Sequence, residues 1–372
     1  MQAHGTARTR VAGFEIFRTQ FLGDNGEPLC EIPASARRKK DLLDAYALML
    51  KTRRFEQKAV ALQRTGQLGT YASGLGQEAV NAAIGLGLAR NDVYIANYRE
   101  CGVPLARGVP LTQILQYWGG DVAGMAYPPN VPAAHDFPFA VPVGSQVPQS
   151  LGVAYAMYLR HEPRAVLVSC GDGASSKGDF GEAISAAGVW QLPLVFVVIN
   201  NQWAISLPRA HQCAAETLAQ KGLAGGLSSE QVDGNDLIAT RYVIEQALKR
   251  ARGGAGPQLI EALTYRLTDH TTADDARRYR DEAEVKAAWQ HDPVARLHRY
   301  LEKHGDFSAD DESALQAKVT AEVEAAVASF LKLPPPPPQA LFDSLYAQLP
   351  RALETQRAQA VAEAGESTNA ET

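Results

Sequence analysis

One stretch, residues 165–206, constrains the fold of this chain more than any other. Its two short apolar runs, 165–170 and 194–199, are uncharged and rich in β-branched residues, which is typical of strands buried on both faces of a parallel sheet. Between them, residues 179–191 have the pattern of an amphipathic helix, and Pro193 lies just beyond it. A strand, a turn, a helix and a second strand make the repeating unit of an α/β fold.

Oxygen-bearing side chains follow both predicted strands. Asp172 lies in a Gly-Asp-Gly turn after the first, and Asn200 and Asn201 follow the second. Because ligands of open α/β sheets collect outside the carboxyl ends of the strands, we expect Asp172 and Asn201 to face one crevice. A carboxylate and an amide oxygen suit Mg²⁺. The alternative is an ordinary turn in which Asp172 only caps the helix, but the paired asparagines and the flanking strands favour a ligand site.

The remaining elements extend the same alternation of strands and helices. It predicts an α/β fold with a parallel sheet flanked by helices on both faces. Residues 119–138 are expected to form a long loop, because they are rich in glycine and proline. Further strands are predicted over 92–96 and 258–265 and before residue 234, and helices over 37–64, 109–118, 150–159, 236–252, 282–304 and 308–331.

Two further residues are candidates for contacts to a ligand. Arg99 follows the strand predicted over 92–96, and its fork of donors suits a phosphate group. His270 lies in the polar segment 266–280 after the last strand and is a candidate phosphate donor or proton carrier. The alternatives are a surface arginine and a solvated loop histidine, and the two residues alone do not decide the question.

Composition excludes several classes of protein. The chain has 372 residues, of which 46% are hydrophobic and 21% charged, and its net charge of −5 gives no sign of binding to nucleic acid or to a membrane surface. No run approaches about 18 apolar residues, so none is predicted to span a membrane. The four cysteines (Cys30, Cys101, Cys170 and Cys213) are far apart and form no metal-type pair, which favours a reducing, cytoplasmic location.

The organisation along the chain has five parts. Residues 1–35 are predicted to form an irregular arm and residues 36–305 the α/β domain. A C-terminal helix is expected within 306–333, where Ser308 and Asp311 form a capping box. A stiff proline linker, 334–338, leads to residues 339–372, where we expect a short docking helix over 341–351 and a disordered tail.

Several motifs together carry a resemblance to a known family. The Gly-Asp-Gly and Asn-Asn pair is similar to the two ends of the thiamine diphosphate motif. Taken with Tyr98-Arg99, the run Gly-Ser-Gln-Val-Pro at 144–148, Asp-His-Thr-Thr at 269–272 and Gly-Gln-Glu-Ala at 76–79, it makes the chain resemble the alpha subunits of the decarboxylating component of 2-oxo acid dehydrogenase complexes. The resemblance extends from about residue 15 to residue 355 and is nearest to the bacterial pyruvate branch, with the branched-chain branch second.

The resemblance implies a cofactor, a metal and a set of site residues. The cofactor would be thiamine diphosphate and the metal Mg²⁺, held by Asp172, Asn201 and the main-chain carbonyl of Trp203. His270 would also act in catalysis, by assisting the transfer of protons and of the acyl group. The remaining contacts implied are Tyr98, Arg99 and His270 to the diphosphate, the main chain of Gly173 and Ala174 beside it, and Val143 to the aminopyrimidine.

The resemblance also implies an assembly and a reaction. Enzymes that use this cofactor have two α/β domains, and only one fits within this chain, so a beta chain would complete the site in an assembly of two alpha and two beta chains. The reaction implied is decarboxylation of a 2-oxo acid, pyruvate first, and transfer of the acyl group to a lipoyl group on the acyltransferase component. A branched-chain 2-oxo acid or acetoin is the alternative substrate. A non-catalytic nucleotide-binding module is a remote alternative, because the chain has no P-loop and no GxGxxG motif.

The chain departs from the family pattern at two places. Some members carry a histidine near the active centre where this chain has Ala72, so no role of that histidine is transferred. Animal members carry a regulatory phosphoserine after the motif histidine, and here Thr271 and Thr272 stand there. We therefore expect no regulation by phosphorylation at this loop.

Overall fold

The core of the protein is one seven-stranded sheet in which every neighbouring pair of strands is parallel. The structure is a computed structural model that describes residues 8–370, with side chains described as far as residue 364. The strands of this sheet are β1 (Arg18–Thr19), β2 (Val93–Asn97), β3 (Phe137–Ala140), β4 (Val166–Gly171), β5 (Leu194–Asn200), β8 (Ser228–Asp233) and β9 (Gln258–Leu263). Across the sheet they lie in the order β1-β8-β9-β5-β4-β2-β3. A separate antiparallel pair is formed by β6 (Trp203–Ala204) and β7 (Leu207–Pro208).

Helices cover both faces of this sheet. The helices of the described residues are α1 (Lys39–Arg64), α2 (Glu78–Gly87), α3 (Gly102–Ala106), α4 (Leu111–Trp118), α5 (Gln146–Leu159), α6 (Gly178–Trp190), α7 (Arg209–Gln212), α8 (Gln220–Ala224), α9 (Leu237–Arg252), α10 (Glu282–Ala288), α11 (Pro293–His304), α12 (Ala309–Phe330), α13 (Ala340–Asp343) and α14 (Arg351–Ala370). Among the described residues, no helix combines the length and the hydrophobicity that a membrane-spanning segment requires.

Alternate residues of the central strands enter two separate hydrophobic cores. In β5, Val195 and Val197 pack into the core built with α1, α2 and α9, whereas Phe196 and Val198 pack into the core built with α5 and α6. Both sets are buried because successive side chains of a strand point to opposite faces. Continuous apolar strands are therefore required here, and the predicted α/β fold with helices on both faces is confirmed.

The carboxyl ends of four adjacent strands meet at one edge of the sheet. β4 pairs with β5 in register from Val166 opposite Leu194 to Gly171 opposite Ile199. β2 and β9 lie on the outer sides of this pair. Because all four strands run in the same direction, the segments that follow them converge at this edge.

The N-terminal arm is less irregular than the sequence predicts. Arg18 and Thr19 pair with Gln231 and Val232 and add an edge strand to the sheet. The backbone amides of Phe21 and Leu22 donate to the carboxylate of Asp236, at 2.7 and 2.6 Å. These partners lie more than 200 residues away along the chain, so local sequence gives no sign of them. Residues 1–7 of the predicted arm lie outside the described residues.

Three other predictions need correction. The segment 119–138 does not remain a loop throughout, because strand β3 begins at Phe137. The predicted helix 282–304 is interrupted between α10 and α11, since Pro293 starts a new helix whose first turn is capped by Asp292. The C-terminal segment forms α13 and then the longer α14, instead of one helix over 341–351 followed by a disordered tail; residues 371–372 lie outside the described chain.

Candidate active site

The four converging strand ends enclose one cavity of about 170 Å³. The segments after β2, β4, β5 and β9 supply most of its wall, and the loop before α5 supplies Val143. Every residue predicted as a site residue lines this cavity: Tyr98, Arg99, Val143, Asp172, Gly173, Ala174, Asn201, Trp203 and His270. Residues far apart in sequence are therefore brought together as predicted.

One part of the cavity wall carries oxygen ligands. Asp172 is only 2% exposed, and burial raises the pKa of its carboxyl to about 6. Its Oδ2 accepts a hydrogen bond from Nε2 of Gln212 at 2.7 Å. The amide oxygen of Asn201 accepts from the backbone N–H of Trp203 at 3.3 Å, which orients the side chain. Asp172, Asn201 and Trp203 thus line the same cavity.

The two glycines beside Asp172 have different reasons for lacking a side chain. A methyl group added at Gly173 would lie 2.7 Å from the Cβ of Ala204, so packing of the turn against β6 excludes one. At Gly171 an added methyl group would meet nothing within 4 Å. Gly171 lines the cavity, and its missing side chain leaves space there for a ligand to approach the backbone.

Arg99 is a buried cation in the wall of the same cavity. It is 4% exposed, and its guanidinium donates to the carbonyl oxygens of Ser73 at 2.8 Å and His270 at 2.7 Å. The guanidinium also lies 5.2 Å from the ring centroid of Tyr98, a favourable cation–π arrangement. Arg99 is therefore held in the site from several sides and is not a mobile surface arginine.

Arg266 is a second buried cation, and sequence reasoning missed it. It is fully buried and donates to the carbonyl oxygens of Trp203 at 3.3 Å and Ile205 at 2.8 Å. Burial and the neighbouring Arg99 lower the pKa of Arg266 to about 10. Among the described residues, no carboxylate lies within ion-pair distance of either arginine. A clue was available, since Arg266 directly follows the last strand, at the start of the polar segment that carries His270.

His270 lies between these two arginines as a neutral imidazole. Its Nδ1 lies 2.8 Å from the Arg99 guanidinium and 3.3 Å from that of Arg266. Since an arginine can only donate, Nδ1 is the acceptor and Nε2 carries the proton. Burial and the two arginine charges lower the pKa of His270 to about 4. At neutral pH His270 therefore offers an uncharged N–H donor, which supports phosphate binding more directly than proton transfer.

The loop that carries His270 is fixed by its own hydrogen bonds. The backbone N–H of His270 donates to Asp274 at 2.9 Å. Thr272 exchanges bonds with Tyr71: its N–H donates to the Tyr71 carbonyl at 2.9 Å, and its hydroxyl oxygen accepts from the Tyr71 N–H at 3.0 Å. The histidine is thus presented by an ordered segment.

A buried carboxyl supports the opposite side of Arg99. Glu56 on α1 accepts from the hydroxyl of Ser73 at 2.6 Å and from the N–H of Gly74 at 2.9 Å. Burial raises the pKa of Glu56 to about 7. Because Arg99 donates to the carbonyl of Ser73, Glu56 acts on the site through this loop and does not line the cavity. The sequence offered no signal for this role, since Glu56 lies within an ordinary helical pattern.

The arrangement fits a magnesium-bound diphosphate. Hard oxygen donors around Asp172 are the ligands that Mg²⁺ prefers, and the cation would offset the cost of an ionised buried carboxylate. In the cavity wall, Arg99 has no carboxylate partner among the described residues, and with the neutral donor of His270 it suits the oxygens of a phosphate group. One cavity therefore provides complementary groups for both components of such a ligand.

Comparisons with known proteins assign the family. The family model described as "Dehydrogenase E1 component" matches residues 46–339. The chain is 37% identical to the 3-methyl-2-oxobutanoate dehydrogenase subunit alpha of Mycobacterium tuberculosis (strain ATCC 25618 / H37Rv), over 92% of this chain and 93% of the relative. It is 35% identical to the pyruvate dehydrogenase E1 component subunit alpha of Staphylococcus aureus (strain N315), over 91% of this chain and 90% of the relative. The fold, the family model and these relatives agree, and the chain belongs to the family of E1 alpha subunits of 2-oxo acid dehydrogenases.

Proposed function

We propose that this chain binds thiamine diphosphate with Mg²⁺ and acts in the oxidative decarboxylation of a 2-oxo acid. The observation that carries the proposal is Arg99, a buried cation in the cavity wall that has no carboxylate partner among the described residues. A buried, uncompensated charge is costly, and a bound diphosphate would supply the missing negative charge. Asp172 and Asn201 lie in the same cavity and would hold the cation that accompanies a diphosphate.

The proposed roles follow from the chemistry of each group. Asp172, Asn201 and the carbonyl of Trp203 hold the metal, and Val143 packs against the aminopyrimidine. Tyr98, Arg99 and the Nε2–H of His270 donate to the phosphates, and the backbone of Gly173 and Ala174 approaches them. When bound, the cofactor supplies the electron sink that decarboxylation requires. The chain's contribution is to fix the diphosphate, to orient the cofactor and to exclude water from the buried part of the cavity.

The substrate that we propose is pyruvate, and the acyl group passes to a lipoyl group of an acyltransferase component. The pyruvate dehydrogenase relative supports this choice. The 37% identity to a 3-methyl-2-oxobutanoate dehydrogenase subunit favours that branched-chain 2-oxo acid as the second candidate. The two identities are too similar to separate the candidates, so a direct assay is needed.

We also propose that the active form contains a beta chain, in an assembly of two alpha and two beta chains. The support is that the described residues contain one large parallel sheet, and the site residues all lie at one edge of it. A second chain would supply the opposite wall for the aminopyrimidine. The cytoplasmic location, the docking role of the C-terminal helices and the absence of phosphorylation remain predictions.

The test is reconstitution with the proposed beta chain. Release of carbon dioxide from pyruvate and from 3-methyl-2-oxobutanoate is measured with the lipoyl-bearing acyltransferase component as acceptor, and with and without thiamine diphosphate, Mg²⁺ and the beta chain. We expect turnover that requires all three and a larger kcat/KM for pyruvate. A larger kcat/KM for the branched-chain acid would assign the second candidate, and turnover without added cofactor by protein stripped of it would refute the proposal. Arg99→Met serves as the site variant, with an expected loss of cofactor affinity.

A further inference from the structure

Gln77 lies in the cavity wall with its side-chain amide entirely unpaired. It is 1% exposed, and neither Nε2 nor Oε1 has a hydrogen-bond partner. Among the side chains that the structure describes, it is the only one with two such buried, unpaired atoms. Buried polar groups are nearly always hydrogen-bonded, because leaving one unpaired is costly. An amide left unpaired inside a ligand cavity indicates that a ligand supplies its partners.

The backbone around Gln77 holds the residue firmly in this position. Its N–H donates to the carbonyl of Gly74 at 2.8 Å, and its carbonyl accepts from the backbone and side-chain amides of Asn81 at 3.0 and 2.9 Å. The preceding Gly76 has φ of +92°, and a methyl group added there would lie 2.6 Å from the carbonyl oxygen of Tyr265. The backbone of Gln77 is therefore held in a fixed turn, and the side chain, only 1% exposed, is buried beside the cavity.

The neighbours of Gln77 indicate which part of a ligand it meets. It shares the cavity wall with Tyr98, Arg99 and His270, which are all hydrogen-bond donors. Helix α2 begins at the next residue, Glu78, and the N-terminus of a helix favours a nearby anion. The carboxylate of Glu78 does not counteract this, because it pairs with Nε of Arg53 at 2.8 Å. The local environment therefore favours an anionic ligand.

We propose that Gln77 is a further phosphate-binding residue, whose Nε2 donates to a diphosphate oxygen. The hydration shell of a metal-bound diphosphate contains water, which supplies the donor that Oε1 lacks. This inference rests on the proposed function, because it takes the diphosphate as the ligand. It goes beyond the site residues implied by the sequence resemblance, which includes Gln77 in the run at 76–79 but gives it no contact to a ligand.

The variant Gln77→Met tests the proposal, because it keeps the length of the side chain and removes both polar atoms. Gln258→Met is the matched control: Gln258 is 4% exposed and has an unpaired Nε2, but it starts β9, at the opposite edge of the sheet from the cavity. Affinities for thiamine diphosphate and for inorganic diphosphate are measured calorimetrically, with Mg²⁺, on the full chain assembled with its beta chain.

We expect Gln77→Met to lower the affinity for both ligands by about ten-fold or more, which is the loss typical of a hydrogen bond to a charged group. Gln258→Met should leave both affinities unchanged. Without ligand, the midpoint of thermal unfolding of Gln77→Met should not fall, because an unpaired buried amide has been removed. A purely structural role predicts the reverse: lower stability and unchanged affinity.

Two outcomes overturn the inference. One is unchanged affinity for both ligands. The other is a loss of affinity for thiamine diphosphate alone, which would place the amide of Gln77 against the rings of the cofactor and not against its phosphates. If Gln77→Met does not fold, Gln77→Ala is tested in the same way. Failure of the unchanged protein to bind thiamine diphosphate would instead refute the proposed function, so the two failures are distinguishable.

Discussion

Replacing Asp172 by asparagine should make the metal-free chain more stable at neutral pH while abolishing metal-dependent cofactor binding. Burial raises the pKa of Asp172 from its ordinary 3.8 to about 6. At pH 7 the carboxylate is therefore ionised in a place that disfavours its charge. Asparagine has nearly the same shape, carries no charge, and keeps an oxygen that can accept the hydrogen bond from Gln212.

The magnitude and its pH dependence follow from linkage. Between about pH 4 and pH 6 the folded chain binds a proton at Asp172 that the unfolded chain has released, so the contribution of this group to stability is present at low pH and lost as pH rises through 6. A pKa raised by about two pH units corresponds to about 3 kcal/mol at pH 7. Asp172→Asn avoids this loss. Its free energy of unfolding should therefore equal that of wild type below pH 4 and exceed it by at most about 3 kcal/mol above pH 6.

The assay is urea unfolding of both proteins in EDTA at several pH values, repeated with thiamine diphosphate and Mg²⁺. Ligand should stabilise the wild-type chain assembled with its beta chain, by about 2.7 kcal/mol at 100 times Kd, and leave Asp172→Asn unchanged. Asp236→Asn is the control, because Asp236 is a fully buried carboxylate outside the cavity that accepts four backbone N–H bonds. It should lower stability and leave cofactor binding intact. A metal-free Asp172→Asn chain less stable than wild type at pH 7 would refute the reasoning.

Five further predictions concern the site, the loop that carries Thr271 and Thr272, and the cap of helix α12. Arg99→Met should weaken thiamine diphosphate binding by about 10- to 100-fold, measured calorimetrically, with little loss of stability in the free chain. The pKa of His270 should rise when thiamine diphosphate and Mg²⁺ bind, because the anion offsets two arginine charges; NMR titration of the imidazole measures this, and an unchanged pKa would contradict it. Without ligand, His270 in the folded chain binds fewer protons than in the unfolded chain between pH 6.5 and about 4, so its contribution to stability is lost as pH falls through this range. Mass spectrometry of native protein should find no stoichiometric phosphate on Thr271 or Thr272. Ser308→Ala removes the capping box of α12 and should cost about 1 kcal/mol in urea unfolding, with unchanged cofactor affinity.

The predictions from sequence were accurate where the signal is local. β4, α6 and β5 lie within one or two residues of their predicted positions, because continuous apolar runs and a closing proline are features of neighbouring residues. The capping box of Ser308 and Asp311 was also confirmed. The predictions were less accurate where pairing with a distant strand determines the local structure. The arm gains a strand by pairing with β8, and the short β3 forms by pairing with β2.

The sequence by itself determined the fold class, through its apolar runs, and the family, through its motifs. It also predicted nine residues of the cavity wall, partly from the resemblance and partly because residues that follow buried parallel strands meet at one edge of the sheet. Only the tertiary structure decided their chemical states. The neutral His270, the raised pKa of Asp172 and the unpaired amide of Gln77 depend on burial and on neighbours that follow other strands, such as Arg99 beside His270. Desolvation and Coulomb interactions act through space, so residue spacing along the chain does not reveal them.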